Sequence, residues 1–590
     1  EGIEFKTNVH VGKNYDAAQL NDFDAVVLCG GATQRRKLPI PGAEANGVVQ
    51  AMDFLKRNNQ VVDGLAETTE SLHAAGKNVI VIGGGATGCG VARDLVLRGY
   101  QTTLIEFGDL GSGTTSRFHG MLQSGARYVV SDTPYAAECF KERETISKIA
   151  PEAVELIGGL FISLPNDPED YPEKFIKCCE IAKIPCQEIQ IDEVLKKEKE
   201  LSNDILRAFQ VPDAVINSWQ LVNLLAKDIK ANGGEVLTNH KVVSIKQHNN
   251  LVKSVEVIEK NGFKKILECD CIINASGPWS GKIAKLVDQE VELQLTKGSV
   301  MVFSHRIVSQ AINRCRIPSS NDIMCPSGTV CLWGTTSEIV NDPDTTKIRP
   351  EEIQELLIGA EELFPKIKNY RSFRAWAGVR PLVKPKNFDK NIPLPRSHSV
   401  IDHSENGLKN FLTVCGGSLT THRSMAEDVV NKLGNKLGIN IPCSTDTIPI
   451  SNSKNAKWTP SSYFQKIENQ KNFNDVVCEC EAITKTDIEE IMKNENLSDF
   501  HDIRRRIRVG FGPCQGTFCN SRLAEIVVNH KIDIDIKKSI LNFWSERLKG
   551  SIRTSYGDQA KQILLSDYIH QENFGLRLTE ENSEKDDIRA

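Results

Sequence analysis

The stretch KNVIVIGGGATGCGVARDLVLRGYQTTLIE, Lys77 to Glu106, constrains this chain more than any other. Its VIVI run is short and continuously apolar, as expected of a strand buried on both faces of a parallel sheet. Gly83, Gly85 and Gly88 follow as G-x-G-x-x-G. CGVARDLVLRG then sets apolar residues at helical spacing and stops at Gly99. QTTLIE reads as a second strand, ending in Glu106 roughly 20 residues past the glycines. Each part meets a physical need of a bound dinucleotide. Gly83 permits the tight turn, Gly85 lets a pyrophosphate approach the backbone, and Gly88 lets helix and strand pack closely. The helix start offers N–H groups and about +0.5 of charge to the phosphates. Glu106 accepts from a ribose 2′-OH, which favours an unphosphorylated ribose. A lone G-x-G-x-x-G is weak; strand, glycines, helix, strand and terminal acid in one unit are strong. NAD and FAD share the fingerprint, so it leaves both open.

The residues downstream favour FAD. FGDLGSGTTSRFHGMLQSGARYVVSD follows Glu106, too polar for a core element and long for a plain connection. It suits the wrapping of a ribityl chain and flavin ring, with Thr115, Ser116 and Arg127 toward the cofactor. CDCIINASGPWS (269–280) is another strand ending in small residues, with Ala275 and Gly277 apt for close backbone approach. TVCGGSLTTHRSMAEDVV (413–430) is a third strand–glycine–helix junction, where Gly416, Gly417, Ser418, Leu419 and Thr420 precede a helix start that faces the flavin. Each alone is also an ordinary tight turn. Together they describe one FAD domain assembled from separated pieces, with a substrate domain between them.

The rest of the composition mainly excludes. A net charge of −5 gives no reason to expect nucleic acid as a partner. No run of about 18 apolar residues offers a membrane span, and EGIEFKTNVH has no apolar core of a signal peptide. A cytoplasmic location is expected, with peripheral contact at the inner face of the membrane as an option. The 17 cysteines are scattered over 590 residues, unlike a secreted disulfide framework. Four stand apart near the end, Cys478 and Cys480 as C-x-C, then Cys514 and Cys519 as C-x4-C.

Several long motifs, in order, carry a resemblance: GGGATGCGVARDLVLRG, GTTSRFHGMLQSGARY, NASGPWS, LTKGSVMVFSHRI, INRCRIPS, WGTTS, WAGVRPLV and the terminal cysteine segment. From about Asn78 onward, more than four-fifths of the chain resembles the flavin-bearing large subunit of anaerobic glycerol-3-phosphate dehydrogenase. The resemblance implies FAD, oxidation of sn-glycerol 3-phosphate to dihydroxyacetone phosphate in glycerol metabolism, and electrons passed to partner subunits or a quinone at the membrane. The implied fold is α/β (α+β overall). A Rossmann-like FAD domain of the glucose/amino-acid-oxidase type spans 77–450, with a β-rich substrate domain inserted at roughly 160–210 and 290–375. A small α-helical domain at 470–530 and a helical tail at 531–590 follow. The C-x-C, roughly 33 residues, C-x4-C spacing resembles the bacterioferritin-associated-ferredoxin-like [2Fe-2S] domain, with a structural zinc or buried free thiols as the alternatives.

A phosphorylated alcohol needs guanidinium forks and a proton acceptor. Arg380 in AGVRPLV and Arg396 in PLPRSHS are the first candidates for the forks, with Arg127 third. His119, His422 and His305 are candidate bases, Lys297 a candidate for orienting substrate or flavin, and Thr335 and Thr336 candidate pocket residues. Two positions depart from the family pattern. Gln123 stands where LHSGARY is usual, and Ser418 where GGK is usual. Both motivate rival readings: another 2-hydroxy acid or amino acid as substrate, or an electron-transfer subunit without turnover. Residues 1 to about 76 resemble a fragment of the small subunit of glutamate synthase and its pyridine-nucleotide relatives, as expected of a cut natural fusion or a recombined gene; no activity is assigned to them.

Overall fold

The computed structural model describes residues 76–384, 394, 396–450, 458–469, 475–494, 497–573 and 575–576, together with Lys13. The glutamate-synthase-like stretch and the last residues of the tail lie outside the described residues. Apart from Lys13, all of these belong to one compact unit, His73–Ala590.

The VIVI run forms the strand Asn78–Ile82, flanked in parallel by Gln101–Ile105 and Cys271–Asn274. Glu235–Leu237 and Phe411–Gly416 extend the sheet in parallel, and His398–Asp402 closes one edge antiparallel. Alternation explains why the run is apolar throughout. Val79 and Val81 point into a core under the helices Ala86–Leu97, Ser218–Ala231 and His422–Leu437. Ile80 and Ile82 point the other way, onto the three-stranded meander His240–His248, Leu251–Glu259 and Lys264–Glu268. Each such side chain contributes about 1.5–3 kcal/mol relative to exposure.

The helix Ala86–Leu97 departs from the amphipathic expectation. Arg93, Asp94 and Arg98 are all buried, because helices cover it on both flanks. Arg98 forks onto Asp94 at 2.7 and 2.9 Å, and Arg93 Nε donates to Asp228 at 2.5 Å. Paired in this way, the buried charges keep their hydrogen bonds.

A second, nine-stranded sheet is built from chain on both sides of the meander. Gly159–Ser163, Gln187–Glu188 and Arg207–Val211 join Ala311–Arg314, Ile323–Ser327, Val330–Gly334, Leu293–Phe303 and Glu338–Val340, while Ser372–Val383 pairs along Leu293–Phe303. Met301, Phe303 and Trp333 pack one face against Leu356 of the helix Pro350–Leu363. The other face turns toward the flavin-wrapping segment, where Thr114 Oγ1 donates to the Val379 carbonyl at 2.7 Å.

The cysteine segment folds around its own core of Ile488, Phe500, Ile503, Leu523, Val527 and Phe543. Its helices are Lys485–Asn494, Phe500–Ile507, Cys519–Asn529 and Ile536–Ser551, beside a ribbon of Val476–Cys478 and Ile483–Thr484. It docks on the first domain through buried Asp109, which takes Arg505 Nε at 2.6 Å and Arg506 Nη2 at 2.9 Å. Trp219 meets Phe511 edge-on at 4.6 Å. Among the described residues no helix is long and apolar enough to cross a membrane.

Candidate active site

The glycine turn is shaped by close backbone approach. Gly83 has φ +116°, and a Cβ there would stand 2.6 Å from the Ala275 carbonyl oxygen. A Cβ on Gly88 would run into the Gly83 carbonyl oxygen. Thr115 Oγ1 accepts from Ala86 N–H at 3.0 Å, so the wrapping segment caps the helix start. Both carboxylate oxygens of Glu106 accept backbone N–H bonds, from Gly84 at 2.6 Å and Gly108 at 2.8 Å. Burial raises the Glu106 carboxyl above its ordinary value, and those two bonds oppose the rise. Gly416 and Gly417 hold φ +82° and +66°, and Gly277 φ +57°, conformations that favour glycine. Thr420 Oγ1 accepts from Gln123 N–H at 3.3 Å, which joins the third junction to the wrapping segment. Ser418 N–H donates to Thr421 Oγ1 at 3.1 Å, and Leu419 gives its carbonyl to His422.

Beyond this cradle three arginines converge. Arg380 Nη2 donates to Thr335 Oγ1 and, at 3.3 Å, to the Thr336 carbonyl. Thr335 and Thr336 therefore join the cluster. The guanidinium lies across Gly298, where any Cβ would collide with it. Arg396 sits 5.5 Å from the centre of the Tyr128 ring. Arg127 donates to the Ser319 carbonyl at 2.9 Å and to Asp322 at 3.2 Å. The three cations act together on their neighbours. Burial, then Arg396 and Arg127, lower Arg380 to about 10, which leaves it charged at neutral pH. Burial would raise the Tyr128 hydroxyl, but Arg396, Arg127 and Arg380 pull it below its ordinary value. Burial and the same arginines lower His119 to about 3, so its imidazole is neutral. Its Nδ1 accepts from Met121 N–H at 3.2 Å, which places the ring proton on Nε2. His119 thus presents a donor here, not a base.

Two other candidates are held elsewhere. Thr296 pairs with Arg380 across the strands, so alternation turns Lys297 to the opposite face. There its ammonium lies 2.9 Å from Glu352, Glu338 and the Lys347 carbonyl. His422 is buried in the first turn of its helix against Gly90, with Nδ1 2.8 Å from the Leu419 carbonyl. Burial lowers it to about 4. His305 is exposed beside Tyr370 and joins no cluster.

The four terminal cysteines do converge. Cys478 and Cys519, Cys519 and Cys514, and Cys514 and Cys480 interact thiol to thiol. Those contacts push Cys478 and Cys514 down and Cys480 and Cys519 up. Backbone N–H groups of Gly510 and Glu481 reach Cys478, and those of Gly516 and Phe518 reach Cys514. A Cβ on Gly512 would collide with Cys480 Cβ. Two loops presenting four sulfurs with amide donors fit an anionic iron–sulfur cluster.

Comparison with known proteins agrees with this geometry. Residues 78–429 match the FAD dependent oxidoreductase family and residues 476–529 the BFD-like [2Fe-2S] binding domain; residues 2–123 match the pyridine nucleotide-disulphide oxidoreductase family. The corresponding subunit of the anaerobic glycerol-3-phosphate dehydrogenase of Escherichia coli (strain K12) is 34% identical over 525 residues, covering 85% of this chain and 97% of its own length. This chain belongs to that anaerobic glycerol-3-phosphate dehydrogenase family. Its counterpart in Haloferax volcanii is 32% identical over 84% of this chain and 90% of its own. The fold is shared with the FAD complex of a Bacillus halodurans glycerol-3-phosphate dehydrogenase, at TM-score 0.51 and 18% identity over 90% of this chain and 95% of that one. An FAD-bound L-alpha-glycerophosphate oxidase from Mycoplasma pneumoniae gives 0.52 and 18% over 62% of this chain and 96% of that one.

As a member of the anaerobic glycerol-3-phosphate dehydrogenase family, the chain is an FAD-dependent oxidoreductase with a [2Fe-2S] domain. Its two departures from the family pattern meet in one place. Gln123 Nε2 lies 3.6 Å from Cys139 Sγ, and the buried Tyr135 hydroxyl has both Cys139 and Ser418 as neighbours. Sequence reasoning missed Tyr128. Its signal was proximity to Arg127 within SGARY, where a tyrosine reads as core.

Proposed function

We propose that this chain oxidises sn-glycerol 3-phosphate to dihydroxyacetone phosphate and sends the electrons through its cysteine domain to partner subunits or a quinone. The convergence of Arg127, Arg380 and Arg396 on Tyr128 and His119 is the observation that carries this reading. Bound in the cradle and on the four thiolates, FAD supplies a two-electron hydride acceptor and the [2Fe-2S] cluster a one-electron outlet. Arg380 and Arg396 grip the phosphate with fixed forks. Tyr128, depressed by the arginines, takes the hydroxyl proton as the carbon gives up its hydride. His119 Nε2–H orients a substrate oxygen. Gly83, Gly88 and Ala275 keep the pyrophosphate turn narrow, and Thr115 fixes the helix start beside it.

The test is an anaerobic visible spectrum of the FAD- and cluster-loaded protein, before and after adding sn-glycerol 3-phosphate. Bleaching of the flavin band followed by loss of cluster absorbance is expected. A flavin that stays oxidised with this substrate but bleaches with a non-phosphorylated hydroxy acid or amino acid overturns the substrate assignment.

A further inference from the structure

A cavity of about 1140 Å³ lies between the flavin-wrapping segment and the cysteine domain. It meets the first at Ser112, Ser116–Phe118 and Gly120, and the second at Gln515, next to Cys514. Of the cofactor-cradle candidates Ser116 lines it, whereas Gly83, Gly88, Glu106 and Gly416, and Arg380 of the substrate cluster, do not. Eleven lysines and arginines face it against three carboxylates, Asp344, Asp535 and Glu546. Arg505 and Arg508 are committed to Asp109 and Glu481. Arg374, Arg504 and Arg547 are not so matched.

These three are 9%, 6% and 2% exposed. Nε and Nη1 of Arg374 and Arg504, and Nε and Nη2 of Arg547, are buried without an acceptor among the described residues. The indole N–H groups of Trp219 and Trp376, which also line the cavity, are in the same condition. Glu546 reaches Arg374 only at 3.9 Å, and Gln515 takes one N–H of Arg547 at 3.2 Å. Phe511 holds the flat faces of Arg504 and Arg547 at 4.9 and 5.0 Å, which leaves their N–H edges for something else. Burial lowers all three arginines first; neighbouring cations add to it, Arg117 for Arg374 and Arg374 for Arg504 and Arg547, and the Glu546 carboxylate opposes it without reversing it. Burying so many donors with no acceptor is costly unless a ligand brings the oxygens.

We propose that this cavity is a binding site for an organic phosphate of up to nucleotide size, held by Arg374, Arg504 and Arg547 with Trp219 and Trp376. The unmatched groups named are all donors, which calls for a ligand rich in anionic oxygen. Arginine forks suit phosphoryl oxygens, and the volume exceeds what a lone inorganic ion fills. The site is separate from the substrate cluster at Arg380.

The experiment is titration calorimetry of the FAD- and cluster-loaded full chain with adenosine 5′-triphosphate, inorganic phosphate and citrate. One triphosphate per chain is expected, weakened about tenfold or more by Arg504→Gln or Arg547→Gln, and unchanged by Arg380→Gln or by saturating sn-glycerol 3-phosphate. No binding of the triphosphate, preference for citrate, binding of inorganic phosphate alone, or displacement by sn-glycerol 3-phosphate overturns the proposal. Should the variants lose their cofactors, phenylglyoxal footprinting of the unmodified sequence decides. Protection of Arg374, Arg504 and Arg547 by the triphosphate supports the site. Equal modification with and without it, or protection by polyglutamate alone, which points to an acidic protein partner, refutes it.

Discussion

The role proposed for Tyr128 rests on three neighbours and not on its own position in the chain. A phenol ordinarily stays protonated at neutral pH; here Arg396, Arg127 and Arg380 lower it against the opposing effect of burial. A base must be deprotonated to act, so kcat/KM for sn-glycerol 3-phosphate should rise with pH up to a depressed tyrosine pKa and then level off. Tyr128→Phe should remove that limb and cut kcat by about 100-fold or more, with the flavin still bound. A variant with the same pH limb would exclude Tyr128 as the base. The place of Arg380 in a polar cluster with Thr335 and Thr336 was legible in the sequence, because Gly378 and Pro381 flank it in an apolar strand. Tyr128 was not, because its chemistry arises from arginines distant in sequence. The same blindness applies to Lys297: its residue type suited a site, but strand alternation aims it at Glu352.

Glycines and buried histidines set the fit between elements. A Cβ on Gly90 would stand 3.3 Å from the His422 ring and 3.4 Å from Ala426 Cβ, so the glycine lets the helices Ala86–Leu97 and His422–Leu437 pack closely. His422 is lowered from 6.5 to about 4 and His119 from 6.5 to about 3. Each is neutral when folded, while the unfolded chain takes up protons below pH 6.5. Their contribution is therefore complete above pH 6.5 and is lost as pH falls from there, toward about 4 for His422 and about 3 for His119. The melting temperature should fall across that window, and His422→Gln should flatten the decline; an unchanged slope would rule out His422 as a contributor. In the cysteine domain, Gly512→Ala should push on Cys480 and abolish the cluster's visible absorbance while leaving the flavin band intact. Retention of a full cluster would show that the loop can yield. The strand–glycine–helix junctions were visible in sequence because local spacing defines them. The buried face of Arg93 and Arg98 was not, since only the flanking helices create it.

At the scale of the molecule, Asp109 is the pin between the two chemistries. It belongs to the flavin-wrapping segment and receives Arg505 and Arg506 from the cysteine domain. Asp109→Asn removes the carboxylate that the two arginines share, although Arg505 keeps Asp502 at 2.9 Å, a loss of up to about 3–5 kcal/mol by analogy with other broken buried pairs. Substrate should still bleach the flavin at the normal rate, while cluster reduction slows. Equal rates for both steps in variant and parent would mean that the pair does not govern docking.

The strand Ser372–Val383 carries one more consequence. Arg374, Trp376, Gly378 and Arg380 fall at every second residue, so they share a face. Arg380 belongs to the proposed substrate cluster and Arg374 to the proposed phosphate cavity, about 20 Å apart at 3.3 Å per residue. The strand acts as a common ruler with a parity rule. A one-residue insertion or deletion between those arginines would invert one of them, whereas a change of two would alter only the span. Length variation among descendants of this chain should therefore come in even steps here, while side chains between the arginines drift freely.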